Sequence, residues 1–124
     1  MTVQKTTLVI GASENPERYS NKAIQLLNQY KHPVLALGLR NGMVGSTSIV
    51  KDINAFKGLP IDTVTLYINP RLQEDHYTAI LDLKPKRVIF NPGTENIAFE
   101  DLLNANGILT EEACTLVLLK TGQY

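Results

Sequence analysis

A Cys/His arrangement for nucleophilic chemistry would have to come from one cysteine, Cys114, and two histidines, His32 and His76. A cysteine becomes a nucleophile when a base stands beside it. His32 precedes Pro33 at the start of a strand-like run, on the edge away from any ligand. His76 falls on a helix with Leu72 and Ile80, where a half-buried packing role suits it. No Cys/His pairing follows from these positions, and Cys114 reads as a small buried hydrophobe. One cysteine and two histidines without ligand spacing make no zinc site. No catalytic residue and no metal ligand is therefore assigned, and catalysis by this chain stays open.

Phosphate binding is the chemistry the loops support better. Gly11-Ala12-Ser13-Glu14-Asn15-Pro16-Glu17-Arg18-Tyr19-Ser20 follows a strand and opens a helix. A glycine there lets the backbone turn towards a phosphate, and the helix offers free N–H groups and a positive dipole end. The segment is not G-x-G-x-x-G, so the dinucleotide fingerprint is absent. The end of the second strand reads Gly38-Leu39-Arg40-Asn41. An NAD site places Asp or Glu there to accept from the adenosine ribose. Arginine instead attracts a phosphorylated ribose and can meet it with two parallel hydrogen bonds. That disfavours NAD and leaves coenzyme A, with its 3′-phosphate, or NADP, with its 2′-phosphate. Two more turns, Tyr67-Ile68-Asn69-Pro70-Arg71 and Asn91-Pro92-Gly93-Thr94-Glu95, also lead from strands into helices, with Asn or Thr as caps.

The elements that must position these loops are legible as apolar runs. Thr6–Ile10, Pro33–Leu39, Thr63–Ile68 and Arg87–Phe90 read as strands, Ile108–Thr110 as a weak fifth, and Ser48–Val50 as a short edge strand. The runs are nearly continuous in apolar residues, as in parallel strands covered on both faces. Between them lie helical patterns. Ser20 caps Ala23, Ile24, Leu27 and Tyr30. Asn69-Pro70 opens a helix carrying Leu72, His76, Ala79, Ile80 and Leu83. Thr94 caps Phe99, Leu102 and Leu103, closed by Asn106-Gly107. Ile53, Ala55 and Phe56 suggest a short helix, and Leu116–Leu119 a final strand or helix that would form a dimerisation patch if exposed. The expected fold is α/β: a Rossmann-like three-layer domain, residues 1–124, with a mostly parallel five- to six-stranded sheet. Its ligand edge is the carboxyl end of the strands.

Charge agrees with a small anionic ligand. Formal net charge is zero, but residues 1–62 carry seven basic against four acidic side chains (+3) and residues 63–124 five against eight (−3). A duplex nucleic acid would want a denser basic face. No run of 18 apolar residues is present, which argues against a membrane span. The first residues run straight into a strand without room for a signal peptide, and a lone cysteine suits a reducing, cytoplasmic setting.

Three segments together resemble a known family. V-I-G-A-S-x-N-P-x-R at Val9–Arg18, Asn91-Pro92-Gly93-Thr94-Glu95-Asn96, and Glu112-Ala113-Cys114-Thr115 are similar to the small bacterial coenzyme A-binding domain proteins. Those are in turn similar to the N-terminal domain of the succinyl-CoA synthetase α subunit. The resemblance implies coenzyme A lying across the strand ends. Gly11, Ala12 and Ser13, with Arg18 and Ser20, would face its phosphates. Leu39 and Arg40 would flank the adenosine; Ile68, Asn69 and Pro70 would lie beneath the pantetheine or adenine; Asn91, Pro92 and Gly93 would line the far end. The synthetase carries more glycines in its first loop than this chain does. Its second domain, with a phosphorylated histidine, has no counterpart here. The expectation is a stand-alone binding module for coenzyme A or an acyl-CoA. Its alternatives are an NADP-binding redox protein or sensor, and an interaction protein, homo-oligomeric, whose nucleotide pocket has decayed.

Overall fold

The computed structural model describes residues 3–124. The chain folds as β1 (Thr7–Ala12), α1 (Tyr19–Gln29), β2 (Val34–Gly38), β3 (Gly42–Val44), β4 (Thr47–Val50), a 3-10 turn (Ile53–Phe56) and β5 (Thr63–Leu66). There follow α2 (Pro70–Gln73), a 3-10 turn (Glu74–His76), α3 (Tyr77–Leu83), β6 (Arg87–Phe90), α4 (Ile97–Ala105), β7 (Leu109–Glu112) and α5 (Thr115–Lys120). One sheet runs β3-β4-β2-β1-β5-β6-β7. All pairs are parallel except the β3–β4 hairpin.

Continuous apolar strands give this architecture because both faces of the sheet are covered. Alternate residues of β1 point opposite ways. Leu8 and Ile10 join Val64, Leu66, Val88 and Phe90 against Ile80 of α3 and Phe99 and Leu103 of α4. Val9 and Ala12 join Ala36 and Ile49 against Ile24 and Leu27 of α1 and Leu119 of α5. Each valine, leucine, isoleucine or phenylalanine among them, once fully buried, contributes about 1.5–3 kcal/mol. Phe99 anchors the first face: Tyr77 stacks on it at 4.1 Å and Phe90 meets it edge-on at 5.9 Å. At the amino ends of the strands the second face turns polar. There Arg87 donates to Thr63 (3.1 Å) and Glu111 (3.2 Å), and its guanidinium lies 4.5 Å from the Tyr124 ring.

Several expectations are corrected. The sheet has seven strands, because Gly42–Val44 pairs with Thr47–Val50 in a hairpin whose first strand is too short to show as a pattern. The segment Ser48–Val50 lies inside the sheet between β3 and β2 rather than at its edge. Ser20 caps nothing, since α1 begins at Tyr19 with Arg18 ahead of it. Asn96, not Thr94, caps α4, accepting from Phe99 N–H; Thr94 Oγ1 instead donates to the Asn91 carbonyl. Leu72 and Leu102 face outwards, and Tyr30 lies at the exposed end of α1. Gln73 takes the buried place expected for Leu72, because its amide satisfies two loop carbonyls. The last apolar run is a helix with Leu119 buried and Val117 exposed. Cys114 is half-buried rather than buried. Among the described residues no helix is long and apolar enough to cross a membrane.

Candidate functional site

In this sheet β1 has β2 on one side and β5 on the other, so the chain reverses its direction of travel across the sheet between β1 and β5. Open α/β sheets bind ligands in the crevice at that point, outside the carboxyl ends of the strands. Gly11 occupies it. Its backbone has φ +97°, a left-handed value that side chains resist. A Cβ there would stand 3.0 Å from Ile68 Cγ2 and from the Tyr67 carbonyl. The first loop and the β5 loop are thus brought into direct contact, with Gly11 against Ile68.

The first loop holds its own shape. Ser13 Oγ accepts from Asn15 N–H at 3.1 Å, and Asn15 Oδ1 from Glu17 N–H at 3.0 Å. The buried Asn21 of α1 donates to the Ser13 carbonyl at 2.9 Å. No side chain caps the start of α1, so the first-turn N–H groups are left for water or a ligand. Arg18 is exposed beside them, whereas Ser20 is buried at 3% exposure and turned into the fold. Across the crevice, Leu39 is 93% exposed and Arg40 follows it, also exposed. Neither arginine makes an ion pair among the described residues, where the one salt bridge joins Arg87 and Glu111.

The opposite wall is braced from within. Asn69 caps α2, accepting from Leu72 N–H at 3.0 Å. Gln73, fully buried, donates to the carbonyls of Ile68 (2.9 Å) and Thr94 (2.8 Å), tying the β5 and β6 loops together. Asn96 adds bonds to Gln73 Oε1 (3.0 Å) and the Tyr77 hydroxyl (2.8 Å). Asn91 turns its side chain inwards. It donates to Thr65 Oγ1 (2.6 Å) and the Leu66 carbonyl (2.8 Å) and accepts from Thr115 N–H (2.9 Å). That leaves Pro92 and Gly93 as the exposed part of this turn. Tyr67 buries its hydroxyl without a hydrogen bond, and burial pushes its pKa upward, so it stays protonated. Glu100, near Glu112, is also raised, first by burial and then by that second carboxylate. Two surface depressions lie elsewhere. One, of about 260 Å³, is lined by residues such as Lys57 and Asp82; the other, of about 310 Å³, by Lys84 and Asn106. Neither touches a candidate residue.

The sequence matches the CoA binding domain family over residues 5–120. The chain belongs to that family. Structures similar to this CoA-binding-domain protein share its fold. The crystal structure of an uncharacterised protein is 43% identical with a TM-score of 0.93, covering 99% of this chain and 100% of that one. A structure from Thermus thermophilus is 23% identical (TM-score 0.86; 98% and 91% covered). A hypothetical protein from Pyrococcus horikoshii OT3 is 19% identical (TM-score 0.86; 95% and 83% covered). No curated protein matches the sequence. In this family member the residues that sequence reading missed are the bracing ones: Glu14, Gln73, Asn96 and the Thr65–Thr115 pair, hydroxyl to hydroxyl at 2.8 Å. Each has a partner 19 to 50 positions away, a contact that no local pattern marks.

Proposed function

We propose that this chain binds coenzyme A or an acyl-CoA across the carboxyl ends of its strands, as a stand-alone module that catalyses no reaction of its own. The family supports the ligand class. The observation that carries the reading is Arg40: exposed and without an ion pair among the described residues just past β2, beside the outward-facing Leu39, where a dinucleotide enzyme keeps an acid. Leu39 offers an apolar surface to an adenine ring and Arg40 a cation to a ribose phosphate. Gly11, Ala12 and Ser13 then present backbone to the diphosphate, with Arg18 alongside. Ile68, Asn69 and Pro70 floor the path towards Pro92 and Gly93. Asn91, buried, serves this site by holding the start of α5 through Thr115 N–H, and Ser20 is buried in the first turn of α1.

Thermal unfolding in the presence of coenzyme A, NADP, NAD and AMP tests the proposal. A ligand at 100 times its dissociation constant adds about 2.7 kcal/mol of stability. Coenzyme A should give the largest shift; a shift with NADP or NAD alone overturns the reading.

A further inference from the structure

Glu14 reaches out of the first loop to the far side of the β2 end. Its Oε2 accepts from Met43 N–H at 3.0 Å, 29 positions along the chain. Gly42 makes room for it. A Cβ on Gly42 would fall 2.4 Å from the Glu14 carboxyl carbon and 2.8 Å from Oε1, and the Gly42 backbone needs no left-handed φ. The glycine thus leaves room for the carboxylate in this position, and a larger residue there would push the Glu14 side chain aside. Oε1 accepts no hydrogen bond from the described residues, and Glu14 makes no ion pair, although Arg40 stands two residues from Gly42. A carboxylate with one oxygen engaged by Met43 N–H thus stands beside Gly42 at the end of β2, two residues along the chain from the exposed Arg40.

We infer that Glu14 is a specificity residue: its Oε1 accepts from a ribose hydroxyl adjacent to the phosphate that Arg40 meets. The chemistry recognised is a ribose bearing a phosphate and a free hydroxyl on neighbouring carbons. The acid missing from the end of β2 is replaced by one delivered from the β1–α1 loop. Because Met43 N–H holds one oxygen, the other is presented without losing side-chain freedom on binding. This inference rests on the reading of the strand ends as a nucleotide cradle.

The test uses calorimetric titration of the whole chain with adenosine 3′,5′-bisphosphate and its 2′-deoxy analogue. The ribo form should bind at least about tenfold more tightly, the range of a hydrogen bond to a charged acceptor. In Glu14→Ala the ratio should fall to about one while both ligands still bind. Glu14→Gln, which keeps the side-chain volume and an acceptor for Met43 N–H, should give a ratio below that of the unaltered chain. It carries the test if the alanine variant does not fold. Equal binding of the two ligands by the unaltered chain, or a ratio unchanged in the variants, overturns the role of Glu14 and leaves the cradle standing. If neither bisphosphate nor coenzyme A binds, the cradle reading fails and the inference with it.

Discussion

The carbonyl oxygen of Ala12 lies 2.5 Å from where a Cβ on Gly38 would be. This contact seats the end of β1 against the end of β2, where the ladder slips between Ile10 and Ala12 before Ala12 pairs with Gly38. Together with Gly11 on the β5 side, it seats the first loop closely between its two neighbouring strand ends, where neither glycine brings a side chain of its own.

Gly38→Ala tests that seat. The Gly38 backbone is not left-handed, so the cost is steric, against a carbonyl and the Ile49 side chain at 2.8 Å. Overpacking of this kind costs about 1–3 kcal/mol. Urea unfolding should show that loss.

Arg40→Glu should cost about 1.5–3 kcal/mol of coenzyme A affinity, the worth of a hydrogen bond to a charged group. Dephospho-coenzyme A, lacking the 3′-phosphate, should lose much less. Equal affinity of the unaltered chain for the two compounds would refute the contact.

Asn91→Ala removes three hydrogen bonds from a residue that is 2% exposed and strands Thr115 N–H at the start of α5. Leaving buried groups unsatisfied costs about 1–3 kcal/mol each. The denaturation midpoint should fall well below that of a Pro92→Ala control, whose side chain is exposed.

His32 gives the fold an acid sensitivity. It is 4% exposed, and its Nδ1 accepts from Lys5 N–H at 2.9 Å, which requires a neutral ring protonated on Nε2. Burial lowers its pKa below the ordinary 6.5, helped by the Lys5 and Arg87 charges and opposed by Asp62. The unfolded chain therefore takes up this proton at a higher pH than the folded one. Its contribution is present in full above pH 6.5. It declines as pH falls through 6.5 and is lost below the lowered folded value, at about 1.4 kcal/mol per unit of lowering. His32→Asn should flatten stability against pH across that window in equilibrium unfolding curves. An unchanged slope would assign the dependence to other groups.

The fold was written locally. Runs such as Leu8-Val9-Ile10 and Val88-Ile89-Phe90 have no polar side to offer water, so they could only be strands covered on both faces, and the helices between them forced parallel pairing. Arg87–Phe90 fell where the sequence placed it, and Asn69-Pro70 opened its helix as its side-chain chemistry requires. Caps one or two residues from a helix start were less legible, because Ser20 and Thr94 have the same local credentials as Asn96 and only packing separates them.

The sequence by itself determined an α/β layer structure and the loops at the carboxyl ends of its strands, because hydrophobic period and turn chemistry act over a few residues. Tertiary structure alone decided which side chains face outwards there. The side chains of Asn91 and Ser20 turned into the fold, while Glu14 came to Gly42 across the end of β2. Such contacts join residues tens of positions apart, and their geometry exists only once the sheet has set the distance between the loops.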